Sequence, residues 1–360
     1  MLEENNLNRL NEKPRHKRQV DHFLINKEIN NKEILERRVV LESRPSMLGI
    51  IITDWCNLSC IMCPDSRRKN QHVLSASTLR KINELLPYLE KIDWQGGEFF
   101  HLDYVKDMFL SFKKYPHVKH AITTNGLLLN KEWIELLFNL NTVVTFSIDS
   151  PRQKTYEYIR QGGSFNELIA RLNLIIDLEQ EHKKRLERYL TVVVMKSNYL
   201  HLTDFVEFAK KYRFSAVFFT PVKNINSEEN IFKYINKDIQ KHLNEVMSLL
   251  KVRFVENNIE LKWTLPNADE KLGCDPDSLT KNKKNLLCDI PWRGMFICAD
   301  RNGNIFPDCW CSQPVGNILE NTLLEVWNNA KMQEYRKKIS SNDMEICSEC
   351  YVEGQRIRPL

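Results

Sequence analysis

Short apolar runs alternate with amphipathic stretches through the middle of the chain, between about Met47 and Asn224. The runs are rich in β-branched and aromatic residues and are too short for helices, which is typical of buried strands. They predict six strands, at residues 48–53, 92–95, 121–123, 143–148, 190–195 and 216–220. Because helical patterns lie between the runs, the sequence predicts six βα units that form a parallel sheet with helices outside it.

The clearest helical pattern follows the fourth predicted strand. Ser164 and Glu167 have the spacing of a capping box, and Leu168 and Leu172 follow on one helical face. Six strands suit a partial (βα)6 barrel, and such sheets carry their sites at the C-terminal ends of their strands. We therefore predict an α/β core at residues 47–224, with the functional residues in the loops that follow the strands.

Two polar segments flank this core. Residues 1–46 are predicted to form a polar N-terminal arm that ends near Pro45, with one short strand at 38–41. Residues 225–287 are predicted to form a charged connector with an amphipathic helix, because Ile239, Leu243 and Val246 share one helical face.

The last segment, residues 288–360, combines a predicted hairpin with cysteines at metal-ligand spacing. Apolar runs at 295–299 and 304–307 flank Asn302-Gly303, a hairpin signal, and a helical pattern follows at 323–327. Four thiols could close a metal site here, and they are Cys288, Cys309, Cys347 and Cys350. Cys311 could replace Cys309, and a structural zinc ribbon is the alternative to an iron–sulfur site.

Composition and charge fit a folded protein of the reducing cytoplasm. The chain has 360 residues, of which 42% are hydrophobic and 28% charged, and its formal charge is +5. No apolar run is long enough to span a membrane, and the polar start of the chain does not have the pattern of a signal peptide. The mild positive charge gives no argument for nucleic acid, and the clustered cysteines indicate metal binding rather than a disulfide framework.

The most informative cysteines lie directly after the first predicted strand. Cys56, Cys60 and Cys63 have the spacing C-x3-C-x2-C. Three thiolates at this spacing can bind three corners of an iron–sulfur cube and leave the fourth iron open. A structural zinc site is the alternative, but it usually takes four ligands, and no histidine nearer than His72 could supply the fourth.

Together with Gly96-Gly97-Glu98 about thirty residues later, this motif resembles the radical S-adenosylmethionine (radical SAM) superfamily. The resemblance implies that the three cysteines hold a [4Fe–4S] cluster, that SAM chelates the open iron, and that Gly-Gly-Glu lines the methionine end of SAM. Further cofactor-binding candidates at the following strand ends are Asn125, Ser147, Asp149 and Arg160. The alternatives are that Ser147 and Asp149 cap a turn and that Arg160 forms an ion pair.

The C-terminal segment resembles the SPASM/twitch domain of some radical SAM enzymes. Too few cysteines follow Cys311 for two clusters, so the resemblance implies one auxiliary [4Fe–4S] cluster. The implied chemistry is reductive cleavage of SAM to a 5′-deoxyadenosyl radical, which takes a hydrogen atom from a substrate carbon. An electron donor such as flavodoxin or ferredoxin is implied as a partner.

The substrate is the least determined part of this interpretation. The resemblance favours an oxidoreductase or maturase that acts on a ribosomally made peptide by oxidation, crosslinking or epimerisation. The 46 residues before the core are too few for a leader-peptide-binding domain, but a separate protein could bind the leader of a peptide substrate. A dehydrogenase or epimerase of a small carbohydrate-like molecule is the first alternative, and a non-catalytic iron–sulfur or zinc protein is the second. An epimerase would need a hydrogen-atom donor, and the candidates are Cys274, Cys298 and Cys311.

Overall fold

The computed structural model describes residues 15–63, 71–222, 228–265, 286–299, 302–309, 311–341, 343 and 358–359. Its helices are α1 (Arg15–Leu35), α2 (Ala76–Leu79), α3 (Val105–Phe112), α4 (Lys131–Leu137), α5 (Gln153–Ile159), α6 (Phe165–His182), α7 (Phe205–Lys211), α8 (Lys237–Glu256), α9 (Ile290–Arg293), α10 (Leu323–Trp327) and α11 (Ala330–Ser340). Its strands are β1 (Met47–Ile51), β2 (Lys91–Gln95), β3 (Lys119–Thr124), β4 (Thr142–Ser147), β5 (Glu187–Val194), β6 (Ala216–Pro221), β7 (Glu260–Trp263), β8 (Leu286–Leu287), β9 (Gly294–Cys298), β10 (Asn304–Phe306), β11 (Gly316–Asn317) and β12 (Arg358–Pro359).

Ten of these strands form one sheet in the order β11-β10-β9-β1-β2-β3-β4-β5-β6-β7. Strands β1 to β7 are parallel neighbours in chain order, with helices between successive strands. The six predicted strands are all confirmed, with small differences at their ends. Ser164 caps α6 as expected, since its side chain accepts a hydrogen bond from the backbone of Glu167. The predicted α/β class is therefore correct.

Strand β7 extends the sheet beyond the six predicted units. It lies in the segment predicted as a helical connector, directly after α8, and pairs in parallel with β6. Its four residues, Glu260 to Trp263, alternate between exposed and half-buried. Such a short run with two charged residues carries little strand signal, which is why the sequence pattern missed it. The connector helix itself is confirmed as α8, with Leu243, Val246, Leu250 and Phe254 buried.

The C-terminal hairpin is confirmed, and it belongs to the same sheet. β9 and β10 are antiparallel, and β9 pairs in parallel with β1, so that Gly49 lies opposite Phe296. A Cβ atom on Gly49 would lie 2.1 Å from the Phe296 ring, so only glycine allows this ring to cover β1. The sheet thus passes without interruption from the core into the C-terminal segment.

The strand predicted at residues 38–41 is wrong. Residues 15–35 form helix α1, and the segment that follows consists of turns and bends. Its backbone groups bond to distant side chains instead of a strand: Trp292 Nε1 donates to the Arg38 carbonyl, and the Asn328 side chain bonds both the N–H and the C=O of Leu41. The β-branched residues of this segment gave a strand signal that these tertiary contacts override.

No helix in the described ranges has the length and apolar character of a membrane span.

A buried ion pair lies at the N-terminal end of β5, away from the strand ends that carry the predicted site. The Arg188 guanidinium donates to both oxygens of Glu179, at 3.0 Å each, and its Nε donates to the Tyr212 carbonyl. Glu179 also accepts from the Leu186 backbone, so the pair holds the connection between α6 and β5. Both side chains are nearly inaccessible to solvent.

We expect Glu179→Ala to lower the free energy of unfolding by about 3–5 kcal/mol, because it leaves the Arg188 charge buried without its partner. The double variant Glu179→Met/Arg188→Met should recover most of this loss, since it removes both charges. Urea unfolding followed by circular dichroism measures the effect, with the exposed Glu181→Ala as the matched control. A loss no larger than that of Glu181→Ala would contradict the assigned role of the pair.

Candidate functional site

The three predicted cluster ligands lie on one loop after β1. Cys56 is partly buried, Cys60 is buried and Cys63 is exposed. The start of this loop is fixed by the segment that follows it: Leu74 donates to the Ile52 carbonyl, and the backbone and ring of His72 both bond the Asp54 carboxylate, at 2.6 and 2.8 Å. The loop is therefore held at its base while Cys63 extends towards solvent.

Gly96 and Gly97 hold the same loop from the side of β2. Gly97 N–H donates to the Thr53 carbonyl and Glu98 N–H donates to the Trp55 carbonyl, both at 2.7 Å. A Cβ atom added to Gly96 would lie 2.2 Å from the carbonyl oxygen of Thr53, and one added to Gly97 would lie 1.8 Å from the carbonyl oxygen of Trp55. The glycines are thus required where two backbones meet. The sequence predicted a close approach here, but to a ligand rather than to the cysteine loop.

The Glu98 carboxylate joins the ends of β2 and β3. Its Oε1 accepts from Phe100 N–H and the Thr124 hydroxyl, and its Oε2 accepts from Asn125 N–H at 2.9 Å. The side chain is fully buried, and burial raises the pKa of Glu98 even though these three hydrogen bonds favour its ionised form. One acceptor position remains on Oε2, so the expected contact of Glu98 with SAM stays a prediction.

Asn125 carries this connection to the first cysteine. Its Nδ2 donates to Asn57 Oδ1 at 2.8 Å and lies 3.8 Å from Cys56 Sγ. Its Oδ1 accepts from the Leu127 backbone, which fixes the orientation of the amide. The structure therefore places Asn125 beside a predicted cluster ligand, as expected for a residue at the end of β3.

Asp149 and Arg160 form the corresponding support at the second cysteine. Arg160 Nε donates to Asp149 Oδ2 at 2.7 Å, and its NH1 lies 3.7 Å from Cys60 Sγ. Burial lowers the pKa of Arg160, but the Asp149 carboxylate and the Cys60 sulfur outweigh it, so the pKa lies above its ordinary value. Asp149 Oδ1 accepts from Val193 N–H, which ties the pair to β5. Arg160 therefore forms the ion pair that the alternative interpretation expected, and this ion pair lies at the candidate site.

Ser147 lies at the C-terminal end of β4 and is half-buried, opposite Thr191 of β5. A small apolar cluster separate from the main core lies close by. It contains Ile159, Met195 and Val222, with Ile61, Met62 and Val193 packed against it. The cysteine loop and the ends of β5 and β6 therefore share an apolar wall beside the thiols.

The thiols and their neighbours fit an iron–sulfur cluster. Burial raises the pKa of Cys56 to about 11, and Glu98, Cys60 and Cys63 add to the rise through their negative charges. As thiolates the three groups would repel one another, and binding to iron would offset that repulsion. Arg160 and Asn125 supply donors to the sulfurs, which a thiolate site can use and three neutral thiols do not need.

The auxiliary ligands are described only in part. Cys288 and Cys309 are half-buried and Cys311 is buried, while Cys347 and Cys350 lie outside the described residues. In the part of the chain that the structure covers, no three His, Cys, Asp or Glu side chains are grouped as ligands of one metal ion, and this holds for Cys56, Cys60 and Cys63 as well as for the auxiliary cysteines. Of the hydrogen-donor candidates, Cys298 is buried in β9 opposite Ile51 of β1, Cys311 is buried, and Cys274 lies outside the described residues.

Sequence reasoning missed several neighbours of the loop. The Asp54–His72 pair was not predicted, although Asp54 stands two residues before the first cysteine. His101 follows Glu98 and stacks on Trp55, with ring centroids 3.4 Å apart. The structure thus places His101 beside the cysteine loop. Tyr156, one turn before Arg160, is fully buried near Cys60.

Curated relatives match parts of this chain in sequence. A GTP 3′,8-cyclase of Clostridium botulinum is 26% identical over 238 residues, which cover 63% of this chain and 72% of the relative. A serine-type anaerobic sulfatase-maturating enzyme of Bacteroides thetaiotaomicron is 28% identical over 187 residues, which cover 46% and 44% of the two chains.

A solved structure shares the fold. Streptococcus suis SuiB bound to precursor peptide SuiA superposes with a TM-score of 0.62 at 19% identity, and the match covers 86% of this chain and 70% of SuiB. At this identity the likeness is one of fold.

Two family models account for most of the chain. The model of the radical SAM superfamily matches residues 50–209, and the SPASM model, an iron–sulfur cluster-binding domain, matches residues 288–351. The first covers the cysteine loop with its supporting strands, and the second covers the C-terminal cysteines. The radical SAM domain implies a [4Fe–4S] cluster and SAM, and the SPASM domain implies auxiliary iron–sulfur ligation. The chain therefore carries a radical SAM domain and a C-terminal SPASM domain.

Proposed function

We propose that the protein is a radical SAM oxidoreductase that modifies a ribosomally made peptide. The observation that carries this proposal is the single loop bearing Cys56, Cys60 and Cys63, with the Gly96-Gly97 backbone docked on it and donors beside two of its sulfurs. When bound, the cluster supplies the electron that splits SAM into methionine and a 5′-deoxyadenosyl radical, which takes a hydrogen atom from the substrate.

The residues of the chain position these groups. Cys56, Cys60 and Cys63 would hold the SAM-binding cluster, with Asn125 and Arg160 fixing two of the sulfurs. Gly96, Gly97 and Glu98 hold the loop in place, and Glu98 also orients the Asn125 backbone. Ser147 and the apolar wall around Met195 would contact SAM or substrate and exclude water. We assign the auxiliary cluster to Cys288, Cys309, Cys347 and Cys350.

A peptide substrate is supported by two of the similar proteins. The SuiB structure contains a precursor peptide, and the Bacteroides relative is named for maturation of a sulfatase. A closed auxiliary cluster would offer an exit for the substrate's second electron, which favours oxidation or crosslinking over epimerisation. We further propose that the enzyme works in the cytoplasm with flavodoxin or ferredoxin as electron donor, and that a separate protein binds the peptide leader.

A small-molecule substrate is the second candidate, because a GTP 3′,8-cyclase is 26% identical over 72% of its own length. Anaerobic incubation with GTP, SAM and dithionite separates the two candidates. Consumption of GTP together with extra 5′-deoxyadenosine would favour the nucleotide. Unchanged GTP would favour the peptide.

The first prediction concerns the SAM-binding cluster. Anaerobically reconstituted protein with dithionite should convert SAM into 5′-deoxyadenosine, and changing Cys56, Cys60 and Cys63 together to Ala should reduce this to background, because no thiolate remains to bind the iron. Liquid chromatography of the nucleoside measures the rate. The matched control is Ser59→Ala, an exposed position of the same loop, which should keep most of the activity. Cleavage at the wild-type rate in the triple variant would disprove the assignment.

The second prediction concerns the metal content. Two [4Fe–4S] clusters use seven thiolates here, three at the open site and four at the auxiliary site. The Cys56/Cys60/Cys63 triple variant should therefore keep about half of the iron and the brown colour of the wild type. Elemental analysis of anaerobic protein measures iron and zinc. Zinc in place of the remaining iron would show that the auxiliary cysteines hold a structural zinc ion instead of a cluster.

The third prediction separates oxidation from epimerisation. An oxidised or crosslinked peptide should be two hydrogens lighter and carry no solvent deuterium after turnover in heavy water, because both electrons leave the substrate. Mass spectrometry of the product distinguishes the outcomes. Unchanged mass apart from one deuterium, with the label lost when Cys274, Cys298 or Cys311 is changed to Ala, would instead establish an epimerase with a thiol donor.

A further inference from the structure

The C-terminal end of α5 lies directly against Cys60. Ser59 N–H donates to the Gln161 carbonyl at 2.9 Å, and Ile61 N–H donates to the Ile159 carbonyl at 3.0 Å. These two bonds flank Cys60 on one side and Arg160 on the other, so the two residues face each other across a short pairing of backbones. The main chain of Cys60 is therefore fixed relative to α5 by backbone bonds.

The Arg160 side chain adds a cation at this sulfur. Its guanidinium is buried, bonded to the Asp149 carboxylate and 3.7 Å from Cys60 Sγ. Asp149 is itself held by Val193 N–H, and the Asn198 side chain donates to its carbonyl. The charge is therefore held in one place, away from bulk solvent that would screen it.

Tyr156 points a second donor into the same region. It lies four residues before Arg160, so both side chains share one face of the helix. Tyr156 is fully buried, and its hydroxyl has no hydrogen-bond partner among the described residues. A Cβ atom on Gly163 would lie 3.3 Å from this hydroxyl and 3.4 Å from Leu58 of the cysteine loop, which places the hydroxyl in the wall of the loop.

A buried hydroxyl without a partner costs free energy, so its presence here indicates an acceptor that binds later. Leu58, which lies on the same side of Gly163 as this hydroxyl, stands two residues before Cys60, and Arg160 reaches the Cys60 sulfur from the same turn of chain. Cys60 is the group here that becomes a thiolate when iron binds. A sulfur of the cluster corner at Cys60 is therefore the acceptor that fits the site.

We propose that Arg160 and Tyr156 set the reduction potential of the open cluster by stabilising added negative charge at its Cys60 corner. Hydrogen bonds to cluster sulfurs and nearby charge are among the factors that set such potentials. Reduction adds one electron from the external donor, and the positive charge and the two donors favour the reduced form. The inference rests on the proposed assignment of Cys56, Cys60 and Cys63 as cluster ligands. It makes Arg160 a positioning and tuning residue rather than a contact of SAM.

The test is a redox titration of the full chain, reconstituted anaerobically and followed by electron paramagnetic resonance. The open cluster is recognised as the signal that changes when SAM is added. In Arg160→Met we expect its equilibrium constant for reduction to fall about tenfold, or about 59 mV for a one-electron couple. In Tyr156→Phe it should fall roughly threefold, since one neutral donor is lost. Arg160→Lys keeps the charge and should stay closer to wild type.

A change of sign distinguishes tuning from simple damage. Asp149→Asn removes the charge that offsets Arg160, so the potential should become less negative, opposite to Arg160→Met. Tyr212 is also a buried tyrosine, but it lies near the N-terminal end of β5, away from the cysteine loop. The control variant Tyr212→Phe should therefore leave the reduction potential of the open cluster unchanged. If Arg160→Met does not hold iron, Tyr156→Phe, which removes one oxygen atom, carries the test.

The outcomes separate this inference from the proposed function. Wild-type protein without a SAM-responsive cluster would disprove the ligand assignment itself. A SAM-responsive cluster whose potential is the same in wild type, Arg160→Met and Tyr156→Phe would disprove the tuning role and leave the function standing. Shifts of one sign in both Arg160→Met and Asp149→Asn would also disprove it, because they would indicate disruption rather than charge.

Discussion

The close contact between two backbones is the constraint on which the site depends. Residues 96–98 approach Thr53 and Trp55 so closely that two consecutive positions have no room for a side chain. The contact fixes the start of the cysteine loop relative to β2. The Glu98 carboxylate then extends the same arrangement to β3, and Asn125 extends it to Cys56. The start of the cysteine loop, up to Cys56, is thus positioned by main-chain contacts and by the Asn125 side chain.

The sulfurs of Cys56 and Cys60 have different hydrogen-bond donors beside them. Cys56 receives a neutral amide, whereas Cys60 receives a guanidinium whose charge is balanced by Asp149. Cys63 is exposed at the end of the loop. An asymmetric environment of this kind lets one corner of a cluster differ electrically from another, which is useful where one iron must stay open to a ligand.

The sequence predicted most of the fold because the strands of the core carry their own signal. β5, for example, alternates between half-buried and buried positions along its whole length. The predictions that failed concern segments whose structure is set by contacts with residues distant in the sequence. Residues 38–41 look like a strand but bind Trp292, Asn328 and Arg336, and β7 gains its strand character only from its pairing with β6.

The candidate site follows the same division. Cys56, Cys60 and Cys63 could be found from spacing alone, and Glu98, Asn125 and Asp149 from their places at strand ends. Arg160 was also a candidate, but its contact with Cys60 could not be predicted, since it joins residues a hundred positions apart. Nothing near Tyr156 in the sequence signals a hydroxyl without a partner among the described residues.

The pairing of β9 with β1 has a consequence for how the protein is made. Met47 pairs with Gly294, so the neighbour that completes the first strand is synthesised only after most of the chain. Until then β1 presents an open edge, with unpaired backbone groups that invite association with other chains. Such long-range pairing is also slow to form, because a long loop must close first. The strand that leads into the cysteine loop thus lacks one neighbour until the SPASM hairpin has been synthesised.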